Sequence, residues 1–276
     1  METCAEEPPI DVCVLGALDV QMAGISILPT APKPRQVFAL LAMRGNQVVS
    51  PSTLIEELWG AKPPRSARNT LQTYVLQLRE LITAAQRKHG EQQEAKKILA
   101  TLPGGYQFQV GERAVDAEEF ERRAASGYRA VAAGDFSGAS RRLRGALSLW
   151  KGPAFSDVRT GRLLTIERQR LEEAKLSAVD QRIDADLRLG RYRELLGELT
   201  ALVNRYRTHE SLHAQLMVAL HHSGRRGEAL GVYQRLRSTL VQELGLEPSV
   251  RLRRLQHSIL VADPGRATVD WSMSSN

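Results

Sequence analysis

A cluster of polar side chains suited to hydrogen-bonding with nucleic-acid bases lies between residues 68 and 79. Asparagine and glutamine match the adenine edge, arginine matches guanine or a phosphate, and threonine can contact a thymine methyl group. Leu71, Val75 and Leu78 recur with helical spacing, so the polar residues fall mostly on the opposite face. That polar face consists of Arg68, Asn69, Gln72, Thr73, Gln77 and Arg79. The pattern indicates a helix that reads DNA, and the alternative is the plain solvent face of an amphipathic helix.

A second pattern is typical of metal chemistry. The segment His209–His213 reads H-E-x-x-H, in which two histidines one helical turn apart hold zinc and the glutamate acts as a base. Against that interpretation, the segment opens a helix with apolar residues at Leu216, Val218 and Leu220, and no glycine turn of the extended zinc signature follows. No phosphate loop, dinucleotide fingerprint or nucleophile elbow is present either. We therefore expect no enzyme activity, no metal and no cofactor, and keep a metalloprotease as a marginal alternative.

The elements around the polar cluster favour DNA recognition. Ser50-Pro51 predicts the start of a second helix, Gly60 its end, and Lys62-Pro63-Pro64 a tight turn before a third helix. Helix, turn and helix in this order form a motif that places its last helix in the major groove. The predicted elements are strands at 12–15, 18–20 and 25–28, helices at 32–43, 51–59 and 67–81, a polar loop at 84–97, and a hairpin with arms 98–102 and 106–110.

The hairpin and the first helix add candidate backbone contacts. Gly104 and Gly105 allow the backbone of the hairpin to approach DNA closely. Tyr106 can anchor the end of the hairpin nearest the core. The alternative for this hairpin is a plain closure of the sheet. Lys33 and Arg35 stand at the start of the first helix, where free N–H groups also attract phosphate.

The charge of the chain is consistent with a polyanionic partner. The net charge is +7, and residues 33–88 contain nine basic side chains against three acidic ones. A local excess of this kind is needed by a surface that follows phosphates, although most basic runs are simply solvated helix faces. The charge therefore supports the prediction without establishing it.

Helical periodicity dominates from about residue 115. Gly134, Gly190 and Gly224 each stand between two helical patterns, and the last two are 34 residues apart, the spacing of a tetratricopeptide repeat. The longer interval after Gly134 indicates an irregular joint near 150–153. The sequence thus predicts an α+β winged helix-turn-helix domain at 10–112, an all-α tetratricopeptide-like domain at 113–262 and a tail at 263–276.

Composition points to the cytoplasm. Apolar residues make up 42% of the chain, yet the apolar runs stop far short of the roughly 20 residues that span a bilayer. The N-terminus lacks the basic and apolar stretches of a signal peptide. The two cysteines, Cys4 and Cys13, do not make a disulfide framework. We expect a cytoplasmic, nucleoid-associated protein without a membrane partner.

Several segments together resemble the Streptomyces antibiotic regulatory protein family in its short form, over roughly residues 10–262. That family joins an OmpR/PhoB-like winged helix to a bacterial transcriptional activation domain built from tetratricopeptide-like repeats. The run Asn69–Val75 is the most specific mark. The other marks are Pro34-Arg35-Gln36, Glu57-Leu58-Trp59-Gly60, Gly104-Gly105-Tyr106, Ser223-Gly224-Arg225-Arg226 and Glu228-Ala229-Leu230.

The resemblance implies an activator of a secondary-metabolite (antibiotic) gene cluster. It further implies binding to direct repeats in double-stranded promoter DNA, dimerisation on that DNA, and recruitment of RNA polymerase holoenzyme through its sigma factor and neighbouring subunits. No receiver domain precedes residue 10, so phosphorylation of an N-terminal aspartate is not expected as a switch. With the recognition helix of OmpR as guide, the residues of the third helix expected to bind DNA are Asn69, Thr70, Thr73, Tyr74, Gln77 and Arg79. The residues argued above from their own chemistry complete the expected DNA-binding set: Lys33, Arg35, Arg68, Gln72, Gly104 and Gly105.

Two alternatives stay open. The repeat half could make the chain a protein-interaction scaffold whose winged helix contacts protein instead of DNA. The acidic group Asp116, Glu118, Glu119 and Glu121 could meet a basic polymerase surface, but a first helical turn favoured by the helix dipole accounts for it equally simply, and we prefer that interpretation.

Overall fold

A computed structural model describes residues 10–89, 95–111 and 114–261 of the chain. The part of the predicted loop at 90–94, the predicted domain boundary at 112–113, Cys4 and the predicted tail lie outside the described residues. The chain divides into two compact units. The first comprises the residues up to Ala125 together with Gly145–Ser177, and the second comprises Ser126–Arg144 together with the residues from Ala178 onward.

The first unit begins with a small antiparallel sheet. Strands β1 (Ile10–Cys13), β2 (Asp19–Met22) and β3 (Ile25–Ser26) pair in chain order. Alternate residues of β2 are buried, as expected for a sheet with one face on the core. The observed β1 begins two residues before the predicted strand because Ile10 pairs with Met22.

Three helices and a second sheet complete the winged-helix type of fold. Helix α1 (Pro32–Met43) packs on α2 (Pro51–Trp59) and on α3 (Ala67–His89), which also contact each other. Ser50 caps α2 by accepting a hydrogen bond from the Thr53 amide, as its sequence predicts. The remaining elements are the short helix α4 (Ala95–Ile98) and a sheet of order β4-β6-β5, made from Val48–Val49, Gly105–Phe108 and Leu99–Leu102.

The segment 145–177 contributes to the first unit through backbone hydrogen bonds. The amide of Lys151 donates to the carbonyl of Leu15, and the amides of Phe155 and Ser156 donate to Val14 and Gly16. The irregular joint expected near 150–153 is therefore an ordered segment that is hydrogen-bonded to the residues following β1. The boundary predicted near residue 112 stays a prediction, since the compact units interleave along the chain.

The remaining helices follow the predicted repeat. They are α5 (Asp116–Ala132), α6 (Phe136–Leu147), α7 (Arg162–Arg188), α8 (Tyr192–Arg205), α9 (Glu210–His222), α10 (Arg226–Leu244) and α11 (Val250–Val261). Gly134, Gly190 and Gly224 lie in the turns between α5 and α6, between α7 and α8, and between α9 and α10, with φ of 74°, 76° and 80°. Only glycine adopts this left-handed conformation freely, which explains its recurrence at the turns. The predicted fold class, an α+β winged-helix domain followed by an all-α helical-repeat domain, is confirmed.

The second unit contains a buried ionic cluster around Asp186, whose side chain is fully buried. Its carboxylate accepts hydrogen bonds from Ser140 at 2.7 Å, Arg144 at 2.6 Å and Arg191 at 2.8 Å, and Arg182 lies at 3.2 Å. Burial raises the pKa of Asp186, but the Ser140 hydrogen bond and the charges of Arg144 and Arg182 outweigh it, so the pKa is lowered. The carboxylate is therefore charged and joins α6, α7 and the residue that precedes α8.

Candidate DNA-binding surface

Helix α3 starts where the proline turn ends. The Ala67 amide donates to the Pro64 carbonyl and the Thr70 amide donates to Ser66, which closes the first turn. Leu71, Val75, Leu78, Ile82 and Ala85 are all buried at helical spacing. The helix continues to His89, eight residues beyond the predicted end, because this apolar spacing persists through residues that composition assigned to a loop.

The opposite side of α3 forms a continuous exposed surface, here called the reading face. Its residues follow the spacing i, i+1, i+4, i+5, i+8, i+9 and i+12, which keeps them on one side of a helix. They are Arg68, Asn69, Gln72, Thr73, Leu76, Gln77 and Glu80. Five of the predicted contact residues lie on this face. Leu76 and Glu80 were not predicted, although the spacing alone would have included them.

Two other predicted residues of α3 are half-buried. Thr70 and Tyr74 lie at the margins of the reading face. The Thr70 hydroxyl donates to the Ser66 carbonyl at 3.0 Å, and the Thr73 hydroxyl likewise donates to Asn69 at 3.1 Å. A hydroxyl that donates its proton to a helix carbonyl still has its oxygen lone pairs. Each threonine can therefore accept a hydrogen bond from the amino group of a DNA base.

Arg79 has a partner that the sequence did not reveal. Its Nε and one terminal nitrogen donate to the carbonyl of Leu99 at 3.0 and 2.8 Å, and the latter nitrogen also donates to the Thr101 hydroxyl at 2.8 Å. The guanidinium therefore ties α3 to strand β5. In this structure these donors hold the hairpin, and the expected contact of Arg79 with DNA stays a prediction.

The predicted hairpin is formed by β5 and β6, with Leu99 opposite Phe108 and Leu102 opposite Gly105. Its turn needs Gly104, whose φ is +98°. Gly105 is needed for a different reason, since a Cβ there would stand 2.1 Å from the Val49 carbonyl oxygen. Gly105 therefore lies against strand β4, and its expected approach to DNA stays a prediction.

The two cations at the start of α1 are also engaged. The Lys33 ammonium lies 4.7 Å from the centre of the Trp59 ring, a cation–π distance. Arg35 forms an ion pair with Asp157 at 2.8 Å, and Asp157 also accepts from the Leu18 amide. A phosphate contact by Arg35 would compete with this pair, and it stays a prediction.

Other cations near α3 are available to solvent. Lys62, Arg65 and Arg68 are exposed and have no carboxylate within salt-bridge distance in the part of the chain that the structure describes. They precede or open α3, where the free N–H groups of the helix also favour an anion. The helix start is therefore the most electropositive end of the reading face, whereas Glu80 stands at its other end.

A cleft of about 760 Å³ borders α3. Lys33, Trp59, Tyr74, Gln77 and Arg159 are among the side chains that line it. Tyr74, predicted to contact DNA, thus faces a recess at the margin of the helix, and its role in binding stays a prediction.

The H-E-x-x-H segment has an ordinary structural role. His209 caps α9, its Nδ1 accepting from the Leu212 amide at 3.4 Å, and Nδ1 of the buried His213 lies 3.0 Å from the His209 carbonyl oxygen. The single N–H of the Ser249 amide is shared between the two carboxylate oxygens of Glu210. Among the described residues, no group of three metal-ligating side chains is close enough to hold an ion.

The acidic group near residue 116 is also largely used within the protein. Asp116 accepts from the amides of Val14 and Leu15, and Glu121 pairs with Arg170. Hydrogen bonds from Arg122, with help from Arg123, lower the pKa of Glu119 to about 2. These contacts favour the interpretation as a structural first turn over a polymerase-binding patch.

Two families match the chain. Residues 27–108 match the family described as transcriptional regulatory protein, C terminal, and residues 115–260 match the bacterial transcriptional activator domain. Regulatory protein DnrI of Streptomyces peucetius is 48% identical over 256 residues, which cover 93% of this chain and 94% of DnrI. Regulatory protein AfsR of Streptomyces coelicolor is 34% identical over 92% of this chain, which spans only 24% of AfsR.

A solved structure has the same fold. Mycobacterium tuberculosis EmbR, determined in complex with a low affinity phosphopeptide, superposes with a TM-score of 0.84 at 33% identity. The match covers 92% of this chain and 65% of the EmbR chain. These relatives are named regulatory proteins, which agrees with the expectation that the chain is not an enzyme. Within the described residues, no helix is long and apolar enough to cross a membrane.

Proposed function

The chain belongs to the Streptomyces antibiotic regulatory protein family and is a transcriptional regulator of that type; from this premise we propose that it activates a secondary-metabolite gene cluster by reading direct repeats in promoter DNA. The observation that carries the proposal is the reading face of α3. It exposes hydrogen-bonding side chains over about three helical turns, on a helix held from behind by α1 and α2. The major groove accepts one such helix.

The contacts divide into two kinds. Asn69, Gln72, Thr73 and Gln77 would meet base edges, because amides and hydroxyls can distinguish donor from acceptor patterns. Arg68, at the electropositive start of α3, would meet a phosphate. The exposed Lys62 and Arg65 are further candidates for the backbone, and Lys33 would join them if it left Trp59. Backbone contacts of this kind position the helix without selecting a sequence.

Activation is assigned to the helical repeat. The match of residues 115–260 to the bacterial transcriptional activator domain supports recruitment of RNA polymerase through its sigma factor and neighbouring subunits. Direct repeats also imply two copies of the chain on one promoter. In this scheme the protein acts in the cytoplasm at the nucleoid, where its promoter lies.

Fluorescence anisotropy with labelled promoter duplexes tests the proposal. The parent should prefer a duplex with direct repeats to a scrambled duplex. The variants Thr73→Ala and Gln77→Ala should lose about 1–3 kcal/mol of that preference. Gln242→Ala, which removes an exposed glutamine of α10, is the matched control and should behave like the parent.

The alternative of a protein-interaction scaffold predicts a different result. If the parent bound repeat-containing and scrambled duplexes equally, or bound neither, DNA reading by α3 would be refuted. If the parent preferred the repeat and the Thr73 and Gln77 variants kept that preference in full, the protein would still bind DNA. These two residues would then not be its reading groups.

A further inference from the structure

Leu76 is the one apolar residue among the seven of the reading face. Its side chain is 56% exposed, more than that of Leu102 at the hairpin turn, which is 37% exposed. On a helix of about 3.6 residues per turn, Leu76 lies within roughly 10° of the centre of the exposed arc between Arg68 and Gln77. A leucine is thus placed where the helix would approach a groove most closely.

Nothing else on the reading face covers this leucine. Gln72, Thr73, Gln77 and Glu80 surround it, and all four are exposed themselves. The packing of α3 depends on the opposite side, where Leu71, Val75 and Leu78 are buried, so stability of the fold does not account for Leu76.

We propose that Leu76 contacts the 5-methyl group of a thymine and makes one position of each DNA repeat selective for a T·A pair. This inference rests on the proposed function of α3. The thymine methyl is the apolar group that base pairs display in the major groove. Leucine offers no hydrogen bond to the amino, carbonyl or ring-nitrogen groups of other bases, and covering those groups without a partner is unfavourable.

Neighbouring side chains define where that thymine lies. Thr73 and Gln77 stand about 4.5 Å and about 1.5 Å from Leu76 along the helix axis. Their hydrogen bonds would therefore fall on the same or an adjacent base pair. The selective position is expected inside the block of bases read by Thr73 and Gln77, not at its edge.

A double-substitution cycle between protein and DNA tests the inference. The duplex is the shortest promoter direct repeat that the parent binds, and each thymine in turn is replaced by deoxyuridine, which removes only the methyl group. At one thymine per repeat, this replacement should weaken binding by the parent about fourfold, the factor for one buried methyl-sized group. Leu76→Ala should weaken binding to the thymine duplex similarly and show no further loss with deoxyuridine.

The controls separate the possible failures. Leu244→Ala removes a leucine of nearly equal exposure, 54%, from α10 and should respond to deoxyuridine as the parent does. Circular dichroism checks that the Leu76 variant keeps its helices. If the parent binds the repeat but deoxyuridine weakens the parent and Leu76→Ala equally at every position, the thymine contact is refuted. If the parent does not select the repeat at all, the proposed function fails instead.

Discussion

Glu57 offers the sharpest test of how the helix-turn-helix is held in place. The residue is 2% exposed, and its carboxylate accepts hydrogen bonds from the Gly161 amide at 2.5 Å, the Leu163 amide at 2.7 Å and the Leu164 amide at 3.3 Å. The Gln36 side chain donates to it as well, at 3.1 Å. A buried acid at the end of α2 thus caps the start of α7, and Glu57→Gln removes its charge with little change in shape.

The expected loss follows from the geometry. A glutamine amide accepts on one side only, so one pair of the four hydrogen bonds disappears and an NH₂ group faces N–H donors. Hydrogen bonds to charged groups contribute roughly 1.5–3 kcal/mol each. At about 1.5 kcal/mol each, the two lost hydrogen bonds account for about 3 kcal/mol. Burying a neutral amide costs less than burying a carboxylate, which offsets part of that loss. A net loss of about 2 kcal/mol in local stability is expected.

Amide hydrogen exchange measures this loss locally. In the Glu57→Gln variant, exchange at residues 161–164 should accelerate about 30-fold, which corresponds to about 2 kcal/mol. The neighbouring Glu56→Gln is a matched control, because the Glu56 side chain is only half-buried and pairs with the exposed Arg162 at 3.1 Å. Exchange in the control should stay within about twofold of the parent. Equal exchange rates in the two variants would show that the buried carboxylate does not hold this segment.

Three further predictions concern the hairpin and the second unit. Arg79→Met should lower affinity for all promoter sequences alike, by about tenfold, in anisotropy titrations; a changed base preference would instead indicate a base contact. Gly105→Ala should lower the free energy of unfolding in urea by about 1–3 kcal/mol, since a Cβ would meet the Val49 carbonyl; an unchanged midpoint would contradict that clash. The pKa of Asp186 in the folded protein is below its ordinary value of 3.8. Its charge therefore stabilises the fold at pH values above 3.8, and this stabilisation is lost as the pH falls through the folded pKa. Asp186→Asn should thus be about 3 kcal/mol less stable near neutral pH and lose less stability on acidification than the parent, as followed by thermal denaturation; parallel pH profiles would refute this role.

The sequence predicted the architecture because local patterns determine it. Apolar spacing at Leu71, Val75 and Leu78 specified both the helix and its buried side, and the glycines at repeat turns reported a backbone conformation that other residues avoid. The end of α3 was placed too early, because the polar residues after Leu81 outweighed the buried Ile82 and Ala85.

Long-range partners were beyond reach of these patterns. A DNA phosphate would have to replace Asp157 as the partner of Arg35, and the Leu99 carbonyl as the partner of Arg79. Both are charged residues near a predicted reading helix, and composition cannot reveal which protein group lies beside each guanidinium. Leu76 lies outside the predicted set for another reason: that set contains hydrogen-bonding side chains, whereas a groove also displays methyl groups.

The hydrogen bonds between residues 14–16 and 151–156 also bear on how the chain folds during synthesis. These partners are separated by about 140 residues, and a ribosome adding 5–20 residues per second needs about 7–30 s to make that length. During this interval residues 14–16 have emerged without the segment to which they later bond. Contacts of such high sequence separation also form slowly in a complete chain. The first unit is therefore expected to reach its final stability late, after the helix-turn-helix has been translated.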